Sequence, residues 1–308
     1  MARAYVSLDD LQKLSHRAQG FSFLPRQPVH SLLTGRHASR LRGRGLDFDE
    51  LRHYYEGDDT RTIDWAATAR LGTPYVRVYR EERDRPVLLL VDQRVSMFFG
   101  SKRATKSVVA AEVAALSAFR VASLGDRVGG IVYSEQGITE VEPQARQGGV
   151  RRLLAEIVRH NNALRADLPH PPDPGLYNEA LRRAVRMIKH DGLVVMISDG
   201  SGKTAETVKI ATELTAHNDL IAVFVYDPIE AELPDIGRTV LAEAERQIEV
   251  DLSSAGLRRR FAADFTESRR QIERASIKRA IPVLPIRTDR DVAEQVRALI
   301  GRRMRQAA

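Results

Sequence analysis

Short apolar segments alternate with longer amphipathic segments from residue 86 to the C-terminus, and this alternation restricts the fold more than any other feature. The apolar runs at 87–91, 193–197 and 220–226 each have the length of a strand, and the segments between them have helical spacing. Continuous apolar strands interleaved with amphipathic helices are typical of a mostly parallel sheet that is covered on both faces. The sequence therefore predicts a doubly wound α/β domain.

The same pattern predicts the individual elements. Strands are expected at 87–92, 127–133, 193–198, 220–226 and 282–287, with an edge strand at 138–142 and a hairpin at 238–251. Helices are expected at 103–123, 149–161, 176–190, 204–216, 254–280 and 290–305.

The pattern is different before residue 86. A helix is expected over 7–18 and a half-exposed strand over 75–80, with an irregular, arginine-rich stretch between them in which no long element fits. We therefore predict two parts. Residues 1–85 form a smaller N-terminal extension, irregular or β, and residues 86–308 form the α/β domain.

Composition excludes several kinds of chemistry. The chain contains no cysteine, which rules out disulfides, thiolate zinc sites and cysteine nucleophiles. Its apolar runs are too short to span a bilayer and its first residues do not resemble a signal peptide, so a cytoplasmic location is expected.

The net charge of +7 comes from residues 251–308, which hold 14 Lys and Arg against 7 Asp and Glu. A solvated basic helix face explains this surplus, and nucleic-acid binding is the alternative.

Acidic residues follow three of the predicted strands. Asp92, Asp199 and Asp227 each begin a loop at the carboxyl end of a strand, where open α/β sheets bind their ligands. Asp92 and Asp199, with Ser96 nearby, suit a hard cation such as Mg²⁺, which takes carboxylate and hydroxyl oxygens. From spacing alone, it is an equally good interpretation that each Asp caps the helix that follows it.

Two groups of residues resemble known families. Asp92-x-x-x-Ser96 followed by Asp199-Gly200 resembles the metal-ion-dependent adhesion site of the von Willebrand factor A domain. The stretch 43–65, which contains Gly57-Asp58-Asp59 and ends in Asp64-Trp65, resembles the signature of the bacterial domain of unknown function 58, and the likeness extends over residues 20–290.

This resemblance implies a von Willebrand factor A-like fold and a class of partner. Proteins with this signature resemble partners of MoxR-type AAA+ ATPases, and the Asp-x-Arg-x-Ser motif is similar to that of the MxaS-like members. The implied role is a non-enzymatic adaptor that works with such an ATPase in the maturation or assembly of a client complex. The surface that it presents would include Asp92, Arg94, Ser96 and Asp199.

The chain departs twice from the metal-binding pattern of A domains. Arg94 stands where the first serine of Asp-x-Ser-x-Ser is expected, and the segment 174–181, which aligns with the threonine-containing loop, has no Thr. A guanidinium about 4 Å from a cation costs on the order of 4 kcal/mol at an effective dielectric of 20. Asp92, Ser96 and Asp199 therefore form a degenerate metal site at which Mg²⁺ is disfavoured.

We interpret Arg94 as an internal cation that replaces the metal and bridges Asp92 and Asp199. The alternative is that Arg94 points outward to an acidic partner.

The remaining candidates are contact residues. Arg94, Ser201, Arg44, Asp58 and Asp59 are expected to contact a partner, although the segment from Gly57 to Trp65 is more typical of a salt-bridged corner with a buried tryptophan. The run 201–204 imitates the end of a P-loop but lacks the glycine five residues before Gly202, so Lys203 and Thr204 are expected to begin a helix.

No set of catalytic residues is visible in the sequence. The His residues lack metal-ligand spacing and no nucleophile elbow is present, so the chain is not expected to be an enzyme. Two other functions remain as alternatives. One is a ligand-binding A domain that depends on a divalent cation, and the other is a nucleic-acid binder that uses the basic C-terminal region.

Overall fold

The computed structural model describes residues 2–19, 46–81, 85–165, 173, 175–243, 246–277 and 281–306. These residues fall into two compact units. The larger unit holds residues 2–19 and the residues from Arg85 onward, and the smaller unit holds residues 46–81.

The helices, in chain order, are α1 (Leu8–Lys13), α2 (Trp65–Leu71), α3 (Lys106–Ser123), α4 (Arg146–Asn162), α5 (Gly175–Met187), α6 (Ala205–His217), α7 (Pro228–Ala231), α8 (Ala255–Ile277) and α9 (Val292–Gln306). The strands are β1 (Leu46–His53), β2 (Tyr75–Glu81), β3 (Pro86–Asp92), β4 (Arg127–Ser134), β5 (Gly137–Gln144), β6 (Leu193–Ser198), β7 (Asp219–Tyr226), β8 (Arg238–Glu243), β9 (Arg246–Asp251) and β10 (Val283–Arg287).

A six-stranded sheet forms the centre of the larger unit, in the order β10-β7-β6-β3-β4-β5. Every neighbouring pair is parallel except β4 and β5, so β5 is the antiparallel edge strand that the sequence predicts. The strand order reverses beside β3, the position at which doubly wound sheets form a ligand crevice. The predicted α/β fold class is confirmed, and the predicted strands and helices of this unit appear with their ends displaced by a few residues.

Apolar layers cover both faces of the sheet. On one face, α3 is buried along most of its length and packs with α4, α9 and the strands. On the other face, α5 and α6 cover a second cluster that includes Leu88, Leu90 and Val194. Each fully buried side chain of this kind contributes about 1.5–3 kcal/mol. Among the described residues, no helix combines the length and the apolar character that a membrane span requires.

The N-terminal residues pack on the larger unit. Leu11 and Val6 are almost fully buried there, and the backbone N–H of Val6 donates to Asn161 Oδ1 at 2.9 Å. Arg3 forms a parallel β-bridge with Ala104, immediately before α3. We expected these residues in an extension that runs from 1 to 85. The structure differs because the apolar face of α1 is buried against α3 and α4.

In the smaller unit, β1 pairs with β2 in an antiparallel ribbon that runs from Leu46 opposite Glu81 to His53 opposite Tyr75, with a bulge between Phe48 and Glu50. The strand β2 was predicted, whereas β1 lies where an irregular stretch was expected. Asp and Glu disfavour strands, which explains why the sequence did not indicate β1.

Ion pairs hold the corner that follows β1. Arg52 Nη1 and Nη2 donate to the two carboxylate oxygens of Asp58 at 2.8 Å each, and Arg77 Nε donates to Asp64 at 2.8 Å. Asp64 also caps α2 by accepting from the backbone of its first turn. The salt-bridged corner is therefore present, but the expectation of a buried tryptophan is wrong. Trp65 is 70% exposed because it is the first residue of a short helix, directly after this cap.

Replacing Gly129 with alanine is expected to lower the free energy of unfolding by about 1–3 kcal/mol. A Cβ at this position would lie 2.3 Å from the Val141 carbonyl oxygen and 2.6 Å from the Pro143 nitrogen, so strand β5 would have to move. Urea unfolding measures the change. The matched control is Gly148→Ala within α4, where a Cβ meets nothing within 4 Å, and where alanine should raise stability by about 0.4–1 kcal/mol. Equal stability of the two variants would contradict this prediction.

Candidate functional site

The loop after β3 folds the Arg94 side chain back onto the carboxylate of Asp92. Arg94 Nε and Nη2 donate to the two carboxylate oxygens at 2.9 and 2.6 Å, and the Arg94 backbone N–H donates to Oδ1 at 3.1 Å. Nη2 also donates to the Ser201 carbonyl at 2.9 Å and lies 4.0 Å from Asp199 Oδ1. A planar guanidinium suits this two-pronged pairing. Arg94 therefore bridges the ends of β3 and β6, which are neighbours in the sheet.

The Arg94 guanidinium is enclosed by protein. Arg94 is 4% exposed and Asp92 is 0% exposed, and Arg94 Cζ lies 5.6 Å from the ring centroid of Tyr133 and 5.4 Å from that of Tyr177. Aromatic faces attract cations, which adds to the ion pair. Burial by itself lowers the pKa of Arg94, but the charge and hydrogen bonds of Asp92 outweigh burial and raise that pKa. Because the side chain points inward, the structure contradicts the alternative in which Arg94 contacts an acidic partner directly.

A second internal cation, Lys106, completes the cluster. Its ammonium donates to Asp199 Oδ2 at 2.9 Å and to Glu230 Oε1 at 2.6 Å, and its side chain is 4% exposed. Burial raises the pKa of Asp199, but the charge and hydrogen bond of Lys106, the Ser201 backbone N–H and the charge of Arg94 together hold that pKa below its ordinary value. Lys106 in turn has a raised pKa, because Asp199 and Glu230 outweigh the effect of its own burial. We call these five residues, Asp92, Arg94, Lys106, Asp199 and Glu230, the ion cluster.

Sequence reasoning missed Lys106, although one signal was present. Lys106 is the first residue of α3 and Thr105 is its N-cap. A cation in the first turn of a helix is unfavourable to the helix dipole, so a lysine there suggests a nearby carboxylate that stabilises it.

Two further carboxylates at this edge of the sheet accept hydrogen bonds from loop backbone and hydroxyl groups. Asp227 accepts from the Ser101 backbone N–H at 2.9 Å and from its hydroxyl at 2.6 Å, and it also accepts from Thr288. The Glu135 carboxylate accepts from the Val95 N–H at 3.0 Å, and burial raises the Glu135 pKa. These contacts hold the loop after β3 to the ends of β4 and β7.

The residues present do not fit a divalent cation. Both Asp92 oxygens are taken by Arg94, and Oδ2 also accepts from Ser198 Oγ at 2.7 Å. Asp199 is bound by Lys106, and the described part of the chain contains no group of three or more His, Cys, Asp or Glu side chains that would hold a metal ion. Ser96 Oγ is buried and has no hydrogen-bond partner within the described residues. A serine hydroxyl stands where a ligand is expected, but cationic side chains occupy the carboxylates beside it.

The other predicted contact residues belong to different parts of the chain. Ser201 lies beside the ion cluster and its side chain is exposed, whereas Arg44 lies outside the described residues. Asp58 and Asp59 belong to the smaller unit, where Asp58 pairs with Arg52 and Asp59 caps the turn Thr60–Thr62. The P-loop-like run behaves as expected for a helix start, because Thr204 is the N-cap of α6.

The solved structures that resemble this chain include two of low sequence identity. A conserved hypothetical protein BatB from Bacteroides thetaiotaomicron aligns with a TM-score of 0.40 and 16% identity, covering 72% of this chain and 99% of that one. The VWA domain of SpRpn10 aligns with a TM-score of 0.34 and 10% identity, covering 70% of this chain and 94% of that one.

Comparison by sequence finds nearer relatives. An uncharacterized protein of Mycobacterium tuberculosis is 31% identical over 301 residues, which cover 96% of this chain and 92% of that protein. An uncharacterized protein of Mycobacterium bovis matches to the same extent. The family described as "Protein of unknown function DUF58" matches residues 50–271, as the motifs around Gly57 and Asp92 predict. The chain is therefore a member of the DUF58 family.

Proposed function

We propose that the chain is a non-enzymatic protein-interaction module of the cytoplasm that works with a MoxR-type AAA+ ATPase in the assembly or maturation of a client complex. The class of partner comes from the family resemblance. The non-enzymatic interaction role is supported by the ion cluster, because its charged side chains pair with each other and do not point to solvent.

The ion cluster favours a rigid contact surface over a reactive centre. Its carboxylates accept from Arg94 and Lys106, whose side chains are 5% and 4% exposed. A general base or a metal site needs carboxylate oxygens that substrate or metal can reach. Here the ion pairs join the ends of β3 and β6 to α3 and α7, and so fix the loops that would meet a partner.

The exposed residues of those loops form the proposed contact surface. Phe99 is 41% exposed, and Lys102 and Ser201 are also exposed. The Phe99 carbonyl accepts from the Lys106 backbone N–H at 2.8 Å, which connects this surface to the ion cluster. An exposed aromatic ring beside polar groups is typical of an interaction site.

The experiment that tests the proposal is affinity capture of the tagged chain from its native cytosol, with and without a non-hydrolysable ATP analogue, followed by mass spectrometry. We expect a MoxR-type AAA+ ATPase to be retained by the wild-type chain and lost from Phe99→Glu and Ser201→Glu. The control is Lys209→Glu, on the exposed side of α6, which should retain the ATPase. If no AAA+ ATPase is retained, or if the loop variants retain it fully, the proposal is wrong.

Nucleic-acid binding is the second candidate, and one observation favours it. Arg259, Arg260 and Arg270 on α8 are exposed, and no ion pair holds them among the described residues. Binding through these arginines should weaken steeply as salt is raised, with a slope that reports the number of phosphates contacted. A titration of labelled duplex DNA at two salt concentrations distinguishes this function from the first.

A further inference from the structure

A cavity of about 360 Å³ lies within the larger unit, on the face of the sheet that α5 and α6 cover. Strands β6 and β7 form one wall, α6 forms another, and α8 contributes Gln271 and Ile272. Sites for small molecules commonly have volumes of about 300–1,000 Å³. The cavity also reaches the carboxyl end of β6, where sheets of this kind bind ligands. Its size and its place in the fold are therefore those of a small-molecule site.

Most of the cavity lining is apolar. The apolar side chains include Met196, Ala211, Ala222, Phe224 and Ile281. Apolar molecules enter such cavities because their hydrocarbon surface is removed from water. A ligand would therefore gain most of its affinity by burying hydrophobic surface against these side chains.

Three hydroxyl groups of the cavity lining already have partners in the protein. Ser198 Oγ donates to Asp92 at 2.7 Å. Thr204 Oγ1 accepts from the Asn178 amide at 3.1 Å, and Thr207 Oγ1 donates to the carbonyl oxygen of the same amide at 2.6 Å. These three groups therefore have their hydrogen bonds without a ligand.

The Tyr177 hydroxyl is different. Tyr177 lines the cavity and is 6% exposed, and its ring lies beside Arg94 and Tyr133. Within the described part of the chain, its hydroxyl has no hydrogen-bond partner. Burial raises the Tyr177 pKa, so the group stays a neutral hydroxyl that can donate. A donor in these surroundings favours a ligand that accepts its hydrogen bond.

We propose that this cavity binds a small hydrophobic ketone, with its hydrocarbon part against Met196 and Phe224 and its carbonyl oxygen accepting from the Tyr177 hydroxyl. Burial of the hydrocarbon part supplies the affinity, and Tyr177 selects the ketone over a hydrocarbon of the same shape. Lys203 also lines the cavity, but it already has an interaction within the protein and has no role in this proposal. The site does not depend on the proposed partner or on the exposed loops.

The test is isothermal titration calorimetry of the full chain with acetophenone, propiophenone and butyrophenone. These ketones differ only in the length of the alkyl chain, and each methylene buried in an apolar cavity should strengthen binding about fourfold. In α-methylstyrene a methylene group replaces the carbonyl oxygen of acetophenone, so it should bind about fivefold more weakly than acetophenone. The absence of butyrophenone binding at millimolar concentration would overturn the proposal. An affinity that does not change with chain length, or equal binding of acetophenone and α-methylstyrene, would also overturn it.

Three variants locate the ligand. Tyr177→Phe keeps the ring beside Arg94 and removes the hydroxyl, so it should remove the preference for acetophenone and leave the binding of α-methylstyrene unchanged. Lys203→Met is the matched control at the same end of the cavity and should keep the preference. Ala222→Phe places a ring in the cavity from the wall that β7 forms, and it should abolish binding of both ligands.

Thermal unfolding of each variant confirms that the chain is folded. A preference that survives in Tyr177→Phe or is lost in Lys203→Met would show that Tyr177 does not hold the carbonyl group. Retained binding in folded Ala222→Phe would show that the ligand lies elsewhere.

Discussion

Replacing Lys106 with methionine is expected to lower the free energy of unfolding by about 3–5 kcal/mol at neutral pH. The substitution removes the cation that lies 2.9 Å from Asp199 and 2.6 Å from Glu230. Asp199 is then buried as a carboxylate that has lost the cation in contact with it, while Arg94 remains 4.0 Å away, and an unpaired buried charge is the costly outcome of breaking such a pair. Urea unfolding followed by circular dichroism measures the loss.

The pH dependence of the Lys106→Met loss has a definite sign. In the wild-type chain the Asp199 pKa is lowered, so this group contributes stability above the ordinary aspartate pKa and loses it as pH falls. In Lys106→Met the effect of burial dominates and the Asp199 pKa is raised. The protonated form then folds better, so stability relative to the wild type recovers as pH falls below that raised pKa. The difference in the free energy of unfolding between the wild type and Lys106→Met should therefore be large at pH 7 and smaller at about pH 4.5.

Two controls make the Lys106 prediction specific. Lys102→Met removes an exposed lysine from the preceding loop and should change stability by no more than about 0.5 kcal/mol. Lys106→Met combined with Asp199→Asn removes both charges of the pair and should recover a large part of the loss. A loss in Lys106→Met as small as that in Lys102→Met would show that the ion cluster does not stabilise the fold.

The second large effect is expected from replacing Arg94 with serine. The free energy of unfolding of this variant should depend on the Mg²⁺ concentration. Without metal, Asp92 loses the guanidinium that contacts both of its carboxylate oxygens, and the loss should again be about 3–5 kcal/mol. The substitution restores the Asp-x-Ser-x-Ser pattern beside Ser96, whose hydroxyl is buried and unpartnered within the described chain. Oxygen ligands of this kind suit Mg²⁺. At a Mg²⁺ concentration 100 times the Kd, binding would return about 2.7 kcal/mol.

Thermal unfolding of Arg94→Ser in EDTA and in MgCl₂ measures that effect. The wild-type chain should show no specific rise in Tm with Mg²⁺, because Arg94 already occupies the Asp92 carboxylate. Arg94→Ala loses the same ion pair but gains no hydroxyl, so it controls for the cavity that the substitution leaves. If Arg94→Ser and Arg94→Ala respond identically to Mg²⁺, Arg94 does not stand in for a metal.

The sequence predicts the strands of the sheet better than it predicts the ion pairs at their carboxyl ends. Strands such as β3 and β6 are buried on both faces, so their apolar runs are unmistakable. The same reasoning fails for β1, where acidic residues lie within a strand of a small ribbon, and for Trp65, because residue type does not reveal exposure at a helix start.

Only part of the candidate site could be predicted. The pairing of Arg94 with Asp92 could be predicted because the two residues are only two positions apart at the end of a strand. The pairing of Lys106 with Asp199 joins residues that are 93 positions apart, and depends on how α3 crosses the end of β6. Periodicity carries no information about such a crossing, so Lys106 is revealed only by the folded chain.

The ion pair that follows the N-terminal helix joins residues that are made at very different times during synthesis. Arg17 forms a two-pronged ion pair with Asp291, 274 residues later, at 2.8 Å for each contact. During synthesis at about 5–20 residues per second, Arg17 therefore waits roughly 14–55 s for this partner to be made. The ion pair of the segment after α1 thus forms later than α3 and α4, against which the apolar face of α1 packs.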